Sequence, residues 1–126
     1  MDDAKTVGKK LVEFCRNGMN LDAISSLYSP DIISVEAMES EEIPREIRGI
    51  DQVLAKNRTW FENNEIHHTS ADGPFPHHDR FAVFFEYETT AKEGPRKGQR
   101  SKFEEVAVYT VKDGRIVREE FFYDMG

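Results

Sequence analysis

The sequence predicts an α+β fold, with helices from the first half packed on one face of an antiparallel sheet supplied by the second half. Three observations carry this. Apolar residues recur every three to four positions as far as Phe61, they recur at every second position from Ile66 onward, and Asp113-Gly114 marks a tight hairpin between the last two strands. Helices followed by hairpin-linked strands are the signature of an α+β domain.

Val7, Leu11, Phe14 and Cys15 fall at i, i+4, i+7 and i+8, the stripe of an amphipathic helix, which Asn17-Gly18 should end. Asn20 is placed to cap a second short helix with Leu21, Ile24, Leu27 and Tyr28 on its apolar face, and Pro30 prevents its continuation. The β-branched run Ile32, Ile33 and Val35 predicts a strand. The acidic stretch from Met38 to Glu42, with Pro44 close behind, reads as a loop or a distorted strand. A third helix begins near Gly49, with Ile50, Val53, Leu54, Asn57 and Phe61 on one face and Lys56 and Trp60 one turn apart on its flank. Four strands follow, over Ile66 to Asp72, Arg80 to Thr90, Arg100 to Lys112 and Arg115 to Asp124. Their separators are a Gly-Pro-Phe-Pro turn, a loop from Lys92 to Gln99, and Asp113-Gly114.

A length of 126 residues gives room for a single domain, 1–126, around one core. The formal charge of −7 argues against a nucleic-acid partner, because binding along a phosphate backbone is dominated by Lys and Arg. The N-terminus lacks the apolar segment of a secretory signal, and no stretch approaches the ~20 apolar residues of a membrane span. A cytoplasmic protein with no membrane partner is the expectation. The single Cys15, in a helical pattern, behaves as a small hydrophobe. Nine Phe, four Tyr and one Trp are more aromatic area than so small a core requires, and the surplus suits the lining of a cavity. The segments Phe81 to Tyr87 and Phe103 to Val111 carry apolar residues on both strand faces. A second covered face predicts a homodimer through the sheet, with Phe84, Val106 and Val108 at the contact.

Among residues able to carry chemistry, Glu36 ends an apolar β run and shares a face with Ser34, where it is either an exposed strand-end acid or an acid facing a cavity. Either Glu104 or Glu105 points at the concave side of its strand, and a buried carboxylate there needs a partner, for which Lys56 and His67 are candidates. Trp60, Phe85 and Tyr109 are candidate pocket walls. The pairs His67-His68 and His77-His78 cannot chelate from a regular strand, since adjacent residues point to opposite faces, and no zinc-ligand spacing is present, so no metal is predicted. Lys92, Arg96, Lys97, Arg100 and Lys102 form a basic hairpin, read either as a solvated loop or as a site for a protein partner.

Two helices, then LYSPDIISVE, then GIDQVLAKNRTWFE, and finally FEEVAVYTVKDGRIVREEFFYD resemble the SnoaL-like branch of the nuclear transport factor 2 superfamily, the group that includes ketosteroid isomerase. The resemblance covers essentially the whole chain, and its most specific piece is the closing VYTVKDGRIVREEFFYD. It implies a cone: a strongly curved antiparallel sheet wrapped around three helices, a cystatin-like fold with an apolar pocket inside and often a dimer across the sheet. Glu36 falls where ketosteroid isomerase keeps its carboxylate base, which moves a proton between carbons next to a carbonyl. That enzyme's oxyanion donors, a tyrosine and a protonated aspartate, fall here on Leu11 or Val12 and near Ala107. Glu105, two residues earlier on the same face, is the candidate replacement as a protonated donor. Within the SnoaL-like branch, Lys56, Trp60, His67 and Glu105 look like recurrent pocket positions.

The resemblance implies a small apolar ligand and no cofactor. One expectation is an isomerase, cyclase or hydratase acting on an apolar carbonyl compound, with Glu36 as base, Glu105 or His67 as acid, and Lys56, Trp60, Phe85 and Tyr109 binding the substrate. The other is a non-catalytic ligand-binding or protein-interaction module in which the same carboxylates form a structural network.

Overall fold

A computed structural model describes residues 1–39 and 44–124. Helix α1 (Ala4–Arg16) opens on Asp3, whose side chain accepts the Thr6 N–H at 2.9 Å and satisfies a free donor of the first turn. Val7, Leu11 and Cys15 of the expected stripe are buried. Helix α2 (Asn20–Leu27) is capped by Met19 with no side-chain bond, so Asn20 is its first helical residue and not its cap. The Asn20 amide instead meets the Tyr87 hydroxyl. Pro30 ends nothing directly, because the helix stops at Leu27 and the chain passes into strand β1 (Tyr28–Val35) with Pro30 inside it.

A three-residue strand, β2 (Glu46–Arg48), precedes helix α3 (Ile50–Asn63) and was not foreseen. The acidic stretch predicted as a loop or distorted strand lies partly outside the described residues. Strands β3 (Asn64–His77), β4 (Arg80–Ala91), β5 (Arg100–Lys112) and β6 (Arg115–Phe122) complete one six-stranded sheet in the order β2-β1-β6-β5-β4-β3. All neighbours are antiparallel except β1 and β6, which run parallel, so the wholly antiparallel expectation is corrected at that pair. The parallel pairing sets Ser34 beside Glu119. The helices pack on one face of this curved open sheet, and no helix among the described residues is long and apolar enough to cross a membrane.

The predicted Gly-Pro-Phe-Pro turn is not a turn. Gly73 to Pro76 lie inside β3, which pairs with β4 on both sides of a register shift between Asp72 and Phe75. β3 is an edge strand, where prolines cost no ladder bond on the open side. Gly73 takes φ 138°, and a Cβ there would stand 2.9 Å from the Ala82 carbonyl oxygen, which explains the glycine in mid-strand. The chain reverses at His78-Asp79, with His78 at φ 56°. Asp113-Gly114 does form the predicted hairpin, both residues at positive φ (53° and 76°) as a type I′ turn requires.

Alternation sorts the side chains of the long strands. Phe81, Val83, Phe85, Tyr87 and Thr89 of β4, and Ala107, Tyr109 and Val111 of β5, are buried under the helices. Phe81 stacks on Tyr109 at 4.9 Å between ring centroids, and Tyr87 on Phe103 at 5.1 Å. Outside, Phe84, Val106 and Phe122 lie opposite one another on three adjacent strands.

Candidate functional site

The inner face of β1, β5 and β6, roofed by α3, gathers three glutamates around one lysine. From α3, Lys56 Nζ donates to Glu36 Oε1 at 2.6 Å and to Ser34 Oγ at 3.0 Å. Ser34, fully buried, passes its own proton toward Glu119 Oε2 at 3.3 Å. Tyr28 donates to Glu119 Oε1 at 2.6 Å. Tyr123, just beyond the end of β6, donates to Glu36 Oε2 at 3.1 Å. Phe121 lays its ring 5.3 Å from Lys56 Nζ, a cation–π contact.

Strand parity decides the Glu104/Glu105 alternative. Glu104 is exposed, while Glu105 shares the inner face with Phe103, Ala107 and Tyr109. Its carboxyl has no hydrogen-bond partner among the described residues. Burial first, then the negative charges of Glu36 and Glu119, push it up to about 8, with Lys56 pulling the other way. Burial also raises Glu119, against the opposing pull of Lys56 and its bonds from Tyr28 and Ser34. The site therefore sets two carboxyls raised by burial, Glu105 and Glu119, beside a third, Glu36, engaged in an ion pair.

The remaining candidates divide. Trp60, one turn beyond Lys56, is half-buried and meets Tyr87 at 5.4 Å and Phe103 at 5.9 Å between centroids, edge to face. Phe85 and Tyr109 are each 3% exposed, packed in the core behind the glutamates. His67 is not brought to the cluster. It is the extra residue where β3 shifts register between Ile66 and His68, and its exposed ring bonds Thr90 Oγ1 at 2.7 Å. Cys15 is buried and its thiol is pushed up to about 12, chiefly by burial, which leaves it unreactive. Among the described residues no group of three His, Cys, Asp or Glu side chains is placed to hold a metal ion. On the basic hairpin, Arg100 pairs with Glu88 and Lys102 with Glu86.

A cleft of about 210 Å³ opens beside Glu36, bounded by Arg45, Phe121, Phe122 and Tyr123 among others. That is below the ~300 Å³ at which drug-sized pockets begin.

Glu119, Tyr28, Ser34 and Tyr123 were missed from the sequence. A regular ladder counted back from Asp113-Gly114 sets Arg118 opposite Tyr109. The register shift at Thr110/Val111 leaves Val117 over and moves Glu119 into that place. The signal available was the closing REEFFYD itself, where two acids run directly into three aromatics at the end of the last strand.

A family model described as a SnoaL-like domain matches residues 3–123. The chain belongs to that family. A provisionally named SnoaL-like polyketide cyclase from Mesorhizobium loti, also described as a carbohydrate phosphatase, is 35% identical over 94% of this chain and 97% of its own, with a TM-score of 0.86. An NTF2-like protein from Burkholderia thailandensis is 18% identical over 98% of this chain and 92% of its own (TM-score 0.80). A protein with a cystatin-like fold from Xanthomonas campestris is 21% identical over 97% and 91% (TM-score 0.76). These last two show the fold alone. None of the curated proteins matches in sequence.

Proposed function

We propose that the protein binds a small neutral carbonyl compound at the Glu36/Glu105 face and moves a proton on it without a cofactor, as an isomerase, cyclase or hydratase would. The observation that carries this reading is the division of labour between two carboxyls on one inner face. Glu105 is held protonated and unbonded, ready to donate toward a carbonyl oxygen, while Glu36, paired with Lys56, is the acceptor. Trp60 and Phe121 supply apolar surface next to them. Support from kinship is limited to the provisional cyclase description of the Mesorhizobium loti relative. A phosphate ester fits the acidic cluster poorly, because the Glu36 carboxylate would repel it and the lysine beside it is already engaged.

The test is hydrogen–deuterium exchange next to the carbonyl of 2-tetralone in D2O. The parent should exchange above the buffer rate, and Glu105→Gln and Glu36→Gln should each return the rate to background with the fold retained. Absence of exchange across a panel of enolisable mono- and bicyclic ketones removes the catalytic reading.

A second reading, a non-catalytic ligand-binding or interaction module, is favoured by one observation: both oxygens of Glu36 already carry a donor. Under it, Glu36→Gln leaves ligand affinity and any biological readout unchanged.

We further propose that the protein is a homodimer through the outer sheet face. Phe84, Val106 and Phe122 form a cross-strand apolar row there, with Val106 36% and Phe122 53% exposed.

A further inference from the structure

We propose that Tyr123 is a positioning residue for Glu36, holding the carboxylate from the end of β6 in the orientation in which it accepts a proton. This rests on the functional reading above for its consequence, while the contact itself stands on geometry alone. Phe122 is the last paired residue of β6, opposite Val106. Alternation sends Phe121 inward over Lys56, Phe122 outward, and Tyr123 inward to Glu36. The Tyr123 hydroxyl also takes the backbone N–H of Met38. One phenol thus ties the ends of the two parallel strands, β1 and β6, together at the carboxylate.

The last torsion of a glutamate is soft, so a donor on one oxygen leaves the group free to swing. Here Lys56 from α3 holds Oε1 and Tyr123 from the other side holds Oε2. Donors on two elements fix the plane, and each oxygen keeps a second lone pair for an incoming proton. Tyr123 also borders the cleft that leads to Glu36, so it stands where a ligand would enter. Burial and the neighbouring Glu36 charge push its phenol up to about 12, which keeps it a donor throughout the neutral range.

The experiment compares the full-length parent with Tyr123→Phe, which keeps the ring, and Glu36→Gln, which assigns the Glu36 signals, using protein labelled with 13C in the glutamate carboxyl and the tyrosine ring. In Tyr123→Phe the Glu36 carboxyl resonance should move more than any other glutamate's, and its two γ-proton shifts should converge as the side chain is freed. In Glu36→Gln the Tyr123 phenol should titrate closer to the ordinary tyrosine value of 10. In the ketone exchange assay, Tyr123→Phe should lower kcat by roughly ten- to a hundredfold with KM little changed. Unchanged Glu36 resonances in Tyr123→Phe, or an unchanged Tyr123 titration in Glu36→Gln, overturn the proposal. A parent that exchanges no ketone removes the functional reading, and the two spectroscopic results still decide the positioning.

Discussion

Tyr28 and Glu119, 91 residues apart, share a 2.6 Å hydrogen bond in the middle of the core, and that bond makes room for a carboxyl where the sheet would otherwise bury only apolar groups. Removing the donor leaves Glu119 with the longer contact from Ser34. Tyr28→Phe, which changes no shape, should therefore cost about 1–3 kcal/mol. Urea unfolding should show a lowered midpoint with an unchanged slope. A midpoint equal to the parent's would mean the carboxyl finds water in place of the phenol.

The raised Glu105 carboxyl makes stability fall with pH in a definite window. Between the ordinary carboxyl value of 4.5 and about 8, the unfolded chain has released this proton while the folded chain keeps it. The unfolded state then binds fewer protons, so each pH unit in that window removes at most about 1.4 kcal/mol. Below 4.5 and above about 8 both states agree and the contribution is flat. Glu119, also raised, acts with the same sign. Urea midpoints between pH 5 and 8 should fall in the parent and fall less in Glu105→Gln. Equal slopes in the two proteins would show that Glu105 is ionised in the fold at neutral pH.

Much of this architecture was legible because burial writes a period into the sequence. The stripe of α1, the face of α3, the inward row Phe81, Phe85 and Tyr87, and the Asp113-Gly114 hairpin are all local patterns with local causes. What escaped was non-local. The extra residue His67 in β3 turned an expected inward histidine outward, and the extra residue Val117 in β6 turned an unremarked glutamate inward. A one-residue slip exchanges the two faces of a strand, and nothing in the spacing of one strand reports how its neighbour is counted. The same limit hid the parallel pairing of β1 with β6, which sets Ser34 beside Glu119. Glu36, Lys56 and Glu105 were legible as candidates because Glu36 follows a β run and Glu105 lies inside a long one, while Lys56 sits one turn from Trp60 on α3; parity left Glu104 and Glu105 open, and the family resemblance singled out Glu105.

Among the described residues Lys56 is the one cation paired inside the glutamate cluster, so its loss should be felt by a carboxyl it does not touch. It pulls Glu105 down against the burial and the two negative charges that raise it. In Lys56→Met the Glu105 carboxyl should titrate above its parent position, followed by 13C NMR across the alkaline range. Stability should fall by roughly 1–3 kcal/mol, between the values for an exposed and a buried ion pair, since both partners are about one-fifth exposed. An unmoved Glu105 titration would mean that water, not Lys56, sets the local field.

Gly8 tests how closely α1 lies on β3. A Cβ built there would stand 2.7 Å from Pro74 Cβ and 3.0 Å from Phe81 Cδ2. Gly8→Ala should gain about 0.8–1 kcal/mol in helix propensity and lose about 1–3 kcal/mol to overpacking, because Phe81 is itself fixed by its stack on Tyr109. A lowered thermal midpoint is expected. A raised one would show that helix and strand separate at little cost.

The outer sheet face is the place to ask whether the molecule is complete as one chain. Val106 lies between Phe84 and Phe122 in a cross-strand row, and two of those three side chains are at least one-third exposed. Scattered exposed apolar residues are ordinary, but three in register across adjacent strands make a continuous strip. Lysine at the central position would be solvated in a monomer and buried without a partner in a dimer. Val106→Lys should thus leave monomer stability within about 0.5 kcal/mol and separate the chains. Sedimentation velocity at micromolar concentration should give twice the 14.6 kDa chain mass for the parent and the single mass for the variant. A parent that sediments as one chain would mean that this strip serves no second copy.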